Sequence, residues 1–218
     1  MKTRTTLLII IAVGLCVILA GFLLGEQMDQ PFATHWNAKG EADGYGSEFM
    51  GLYFLPLLTI AMSMLILFTP AIDPLKRNVA GFRSEYNVFI LSFAAFMFYV
   101  HALTIAWNLG VNFSMNAAMA PAFGLFFVLT GRMILKAKRN YFIGIRTPWT
   151  LANDQVWDST HQIGGKLFIA SGILTAACII CPDATFAVLF FTAIGSTIIT
   201  FVYSYLEFRK IEKQTAIE

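Results

Sequence analysis

The chain has 218 residues, 57% of them hydrophobic and only 13% charged, with a formal net charge of +2. An average soluble domain carries about 25% charged residues, and here the apolar residues come in long uncharged blocks, which excludes a soluble globular domain. The excess of basic residues is small and is accounted for below by topology, so direct nucleic-acid binding is not expected.

The first block, Leu7 to Gly25, contains no charge. Crossing the hydrocarbon core takes about 20 apolar residues as helix, and a lipid-exposed open sheet is excluded because its backbone groups would go unpaired. The block follows Lys2 and Arg4, as a secretory signal would. It is longer than the usual apolar core of such a signal and has no A-x-A site after it, so it is expected to be a retained anchor. Further blocks run from Met50 to Ala71, Asn87 to Gly131, Leu167 to Pro182 and Ala184 to Leu206. The longest of these has a polar break at N-L-G-V-N-F-S-M-N, Asn108 to Asn116, and reads as two spans. The prediction is an all-α membrane protein of six transmembrane helices, at approximately 6–25, 49–70, 88–109, 117–135, 163–181 and 184–206. They form one integral unit of three segments, 1–70, 71–135 and 136–218.

Between the first two spans lies E-Q-M-D-Q-P-F-A-T-H-W-N-A-K-G-E-A-D-G-Y-G-S-E, an acidic loop with Gly40, Gly44 and Gly46 as turn residues. His35, Asn37 and Asp43 make it a recognition surface or a cation site, or else a plain solvated connection. Its spacing does not match an EF-hand, and no metal is assigned to it. In the third span, His101 is an ionisable group at membrane depth, which implies packing against the bundle or, as an alternative, a relay in a small-solute transporter.

The loop before the fifth span is denser: N-Y-F-I-G-I-R-T-P-W-T-L-A-N-D-Q-V-W-D-S-T-H-Q-I-G-G, Asn140 to Gly165. Pro148 disfavours helix at Thr147 and permits one beyond it. Thr150 or Asn153 is the expected N-cap, with Asp154 suited to the first turn. Asp154, Trp157, Asp158 and His161 then fall at i, i+3, i+4 and i+7 on one helical face. Arg146, Asp154 and His161 are the candidate catalytic residues of an interfacial enzyme, Arg146 holding an anion and His161 acting as acid or base. The competing expectation is an interfacial anchor built on Trp149 and Trp157. No nucleophile motif or metal-ligand spacing accompanies the cluster, which weighs against an enzyme, and no cofactor is expected. Cys178 and Cys181, in C-x-x-C spacing, are expected to pack as apolar side chains and not to pair.

Orientation follows from the loop charges. Every one of the 15 Lys and Arg residues except Lys39 falls on one side of the predicted topology. The positive-inside rule then places both termini and the Asn140–Gly165 loop in the cytoplasm, and the acidic loop outside. That places the chain in the plasma membrane, in contact with lipid.

The motif G-I-R-T-P-W-T-L, V-W and T-H within Asn140 to Gly165 resembles the signature of the SdpI family of bacterial membrane proteins. The outer P-F-A-T-H-W-N-A-K-G-E-A-D-G-Y-G-S is similar to a small membrane domain often found ahead of it. Gln162 departs from the pattern, which has a basic residue after the His. The resemblance implies motif positions at Asn140, Gly144, Arg146, Thr147, Pro148, Trp149, Trp157, Thr160 and His161. On the outer loop it implies His35, Asn37, Gly40, Asp43 and Gly44. It implies immunity to a secreted, membrane-active peptide toxin met on the outer face, with signalling through a cytoplasmic repressor as a further expectation.

Overall fold

The computed structural model describes residues 1–215; the end of the third expected segment, residues 216–218 with the C-terminus, lies outside the described residues. Six helices long and apolar enough to cross a membrane are present among the described residues. In chain order, α1 is Thr3–Leu24, α2 is Leu55–Phe68, and a short α3, Lys76–Ala80, leads into α4, Arg83–Asn108. Then come α5, Met115–Lys136, a one-turn α6, Pro148–Ala152, α7, Asp154–Ala177, and α8, Thr185–Thr215. The fifth span starts earlier than the hydropathy alone suggests. Asn153 caps α7, its side chain accepting from the N–H groups of Gln155 and Val156 at 2.8 and 3.1 Å, so the helix runs unbroken from the polar loop into the bundle.

The first two spans bury stripes that include small and polar residues and expose large apolar ones. On α2, Pro56, Thr59, Ser63 and Leu67 form the buried stripe, and on α1 it is Thr6, Ile10, Gly14 and Gly21. Leu15, Leu19, Phe22 and Leu65 point outward with more than half their surface exposed. Lipid tails are as apolar as leucine, so transfer from water does not drive these helices together. Close backbone approach and hydrogen bonding do. The tightest pairing is α5 on α7. A Cβ on Gly131 would lie 2.6 Å from the Gly165 carbonyl, and one on Gly124 2.7 Å from that of Gly172. These two pairs, seven residues apart on each helix, let the backbones touch. Gly165 therefore packs closely against α5; its neighbour Gly164 leaves room for Ile145 and Thr200. Two buried hydroxyls donate back to their own helix, Thr175 to the Ser171 carbonyl and Thr200 to the Ser196 carbonyl, both at 2.8 Å. Aromatic rings fill the seam between α4 and α5, with Phe96 5.1 Å from Phe123 and 5.2 Å from Phe126.

The acidic loop, expected as a run of turns, is a β-hairpin. β1, Phe32–Trp36, pairs antiparallel with β2, Ala42–Gly46, in an irregular register. Phe32 is buried against Gly51, which sits in a π-helical stretch, Phe49–Phe54, leading into α2; a Cβ there would lie 2.7 Å from the Phe32 ring. Asn108 at the end of α4 accepts from the Ala33 N–H at 2.8 Å and donates to the Ala33 carbonyl at 3.0 Å. Asn116 donates to the Ala38 carbonyl at 3.0 Å. The polar break that separates the third and fourth spans thus clasps the hairpin. This is the hairpin end of the bundle. At the opposite, basic end, the Met1 amine donates to Ser84, and Arg83 donates to Thr3.

Candidate functional site, a signature loop folded onto the basic end

Asn140 organises the loop that joins α5 to α6. Its side chain is fully buried and uses every hydrogen-bonding position it has. It donates to the carbonyls of Lys138 and Ile143 at 2.8 and 2.9 Å, and accepts from the N–H groups of Phe142 and Ile143 at 2.9 and 2.6 Å. The chain then turns at Gly144, whose φ of +107° suits glycine alone. A Cβ there would also collide with the His161 ring.

His161 receives the next residue. Its Nε2 accepts from the Ile145 N–H at 3.0 Å, and its Nδ1 donates to the Trp157 carbonyl at 2.8 Å. A backbone N–H can only donate, so Nε2 is unprotonated and the ring is held as the Nδ1–H tautomer. The imidazole stacks on Trp157 with centroids 4.0 Å apart and planes 16° from parallel. Trp157 is itself fully buried and donates from its indole to the Ala137 carbonyl at 2.9 Å. His161 is 1% exposed. It is a bracket holding the loop to α7, with both nitrogens occupied.

Thr147 and Thr150 close the segment. Each accepts from the other's backbone N–H, at 3.2 and 2.9 Å, the reciprocal capping of α6. Pro148 takes the first helical position, where no N–H is missed. The Thr147 hydroxyl donates to Ser204 on α8 at 3.0 Å, and Trp149 packs against Phe201 and Tyr205 with centroids 5.2 and 5.1 Å away. Thr160 is fully buried on α7.

The carboxylates predicted on the same helical face as His161 are engaged elsewhere. Asp154 pairs with Arg139 at 2.6 Å and Asp158 with Lys138 at 3.0 Å, so neither orients the imidazole. Arg146 is exposed and donates to the Tyr141 carbonyl at 2.7 Å. The helical face predicted from the i, i+3, i+4, i+7 spacing is split: the aromatic pair lies inside and the carboxylates lie outside. Arg146 lies exposed on the loop, whereas Trp157 and His161 are buried on α7.

Two residues that sequence reasoning passed over complete the site. Asp73, 2% exposed in the segment before α3, accepts from the Leu75 N–H at 2.6 Å and from the Tyr141 N–H at 2.9 Å. Asn78 on α3 donates to the Arg139 carbonyl at 2.7 Å. The one available signal was an Asp-Pro directly after an apolar block, where a solvated turn is the ordinary reading.

At the hairpin end, His35 and Asp43 face each other at 2.5 Å, with side chains 71% and 44% exposed. Asn37 shapes the turn, accepting from Lys39 and Glu41 N–H groups and donating to the Glu41 carboxylate. Gly40 has φ +79°, and Gly44 gives the His35 side chain its space. Cys178 and Cys181 are free thiols; Cys178 is buried, as expected of an apolar side chain, while Cys181 is exposed. His101 is buried at 2% exposure, and its Nε2 has no partner among the described residues, where a hydrogen-bonded packing role was the expectation.

Six apolar helices carrying a hydrogen-bonded polar cap define a multi-pass helical membrane protein. Residues 136–204, from the end of α5 into α8, match the SdpI/YfhL protein family. Residues 7–60, covering α1, the hairpin and the start of α2, match a domain of unknown function, DUF1648. The chain is 20% identical over 176 residues to the Immunity protein SdpI of Bacillus subtilis (strain 168), an alignment covering 81% of each chain. No solved structure matches it.

Proposed function

We propose that this chain is a membrane immunity protein that protects its cell against a secreted, membrane-active peptide toxin. The observation that carries the reading is its similarity to an immunity protein along a stretch that takes in most of both chains. The bundle gives the two ends separate work. The hairpin end meets the toxin, through an exposed edge of His35, Asp43 and Tyr45 on a strand pair pinned by Asn108 and Asn116. Charge asymmetry supports placing that end outside and the basic end in the cytoplasm. There the signature loop holds Arg146 outward as a contact for a cytoplasmic regulator.

The test is expression in a toxin-sensitive bacterium with its own immunity gene deleted. Protection by the intact chain, lost in Asp43→Ala and Tyr45→Ala at unchanged protein level, supports the reading. Equal killing with and without the chain overturns it.

A further inference from the structure

At the basic end, an open cavity of about 520 Å³ lies between the end of α2, α3 and the start of α4. Its walls include Leu67, Phe68, Pro70, Lys76, Val79 and Arg83. Leu67 and Phe68 are near the end of one membrane-crossing segment and Arg83 begins the next, so the cavity sits at the level where hydrocarbon gives way to headgroups. Its two cations are uncompensated: no carboxylate lies within ion-pair distance of Lys76 or Arg83 among the described residues. The carboxylate in the same connection, Asp73, is occupied by the N–H groups of Leu75 and Tyr141. Arg83 is held in place from two sides, donating to Thr3 at 3.1 Å and to the Leu67 carbonyl at 2.9 Å, with its guanidinium over the Tyr86 ring. Beside the cavity, Phe68 and Ile72 are 54% and 73% exposed, an apolar surface continuous with the bilayer.

We propose that this cavity seats the phosphate-bearing headgroup of an anionic phospholipid, with Arg83 and Lys76 on the phosphate and an acyl chain along Phe68 and Ile72. A partly buried arginine in a fixed position supplies directed donors, and the exposed lysine supplies a second charge. Basic pockets at the ends of membrane helices are suited to such headgroups. Occupancy bears on the signature loop, because α3 and the turn before it are bonded to that loop through Asn78 and Asp73.

The test is native mass spectrometry of the full chain, delipidated in detergent and titrated with phosphatidylglycerol or with phosphatidylcholine of the same chains. One phosphatidylglycerol per chain is expected to outlast phosphatidylcholine. A basic residue near a membrane surface contributes enough that Lys76→Gln weakens retention about five-fold. The Lys76 side chain makes no hydrogen bond among the described residues, so this variant keeps the fold. Arg83→Lys keeps the charge but loses the directed donors and weakens retention, and Lys210→Gln, at the same end but paired with Glu207, is without effect. Equal retention of the two lipids, or an unchanged Lys76→Gln, overturns the proposal. Displacement of the lipid by millimolar inorganic phosphate overturns the headgroup assignment in favour of a soluble anion.

Discussion

Asn140→Ala tests whether the signature loop is held from within. The side chain makes four hydrogen bonds to backbone groups. Two of them, to the Lys138 carbonyl and from the Phe142 N–H, are partly buried, and water replaces the lost partner at modest cost. The N–H and carbonyl of Ile143 are buried, and water does not reach them. A stranded buried polar group costs about 1–3 kcal/mol, so the pair sets the expected loss at about 3–4 kcal/mol. Asn153→Ala is the internal comparison, because it also removes two backbone contacts, but at a partly exposed N-cap worth about 1 kcal/mol. Chemical unfolding in detergent micelles measures both. Limited trypsin digestion gives the local readout, since Lys138, Arg139 and Arg146 flank Asn140. Asn140→Ala is expected to be the less stable of the two by about 2 kcal/mol and to be cut first in this loop. Equal stability of the two variants, with the loop still resistant to trypsin, would refute the internal-support argument.

Gly144→Ala forces a Cβ onto a backbone with φ +107° and into the His161 ring, and a loss of at least 1–2 kcal/mol is expected in the same unfolding assay. Gly131→Leu drives a side chain into the Gly165 carbonyl and should lower stability by about 1–3 kcal/mol or more. Gly195→Ala on α8 meets open space and should be neutral or stabilising by up to about 1 kcal/mol. His161→Phe keeps the stack on Trp157 but strands the Ile145 N–H, costing about 1–3 kcal/mol and lowering protein abundance. Normal abundance with lost protection would instead mark His161 as a chemical participant. Arg146→Gln removes only an exposed bond to a carbonyl, so stability should stay within about 0.5 kcal/mol while protection or signalling falls.

The spans were legible because an uncharged run of about 20 residues has few other solutions. The cap of α7 was legible too, since Asn153 and Asp154 are local signals. The hairpin was not. Its strands are five residues each, interrupted by glycines and bulges, and what holds Phe32 and Ala33 comes from Gly51 and Asn108, far away in sequence. The motif positions could be named from the sequence, but their partners could not. Helical spacing puts Asp154, Trp157, Asp158 and His161 within two turns of one helix, but they do not share one environment. It does not say which of them faces the Ile145 N–H and which faces Arg139 and Lys138, because that depends on where the preceding loop docks.

That docking divides the signature into two groups with different reasons for being there. Asn140, Gly144, Thr147, Trp157 and His161 are explained by the fold: each is spent on a backbone group, a cap, a stack or a glycine-only turn. A residue whose polar atoms are all committed inside the protein has none left for a partner. On the proposed reading, contact with a partner at the basic end passes through what the loop presents outward. Arg146 is foremost, with Tyr141 and Phe142 beside it, 49% and 38% exposed. Gln162 also lies exposed, one residue after the buried His161. A basic residue substituted there would enlarge the outward surface without touching the bracket, so the position that departs from the family pattern bears on what this end contacts and not on whether it folds.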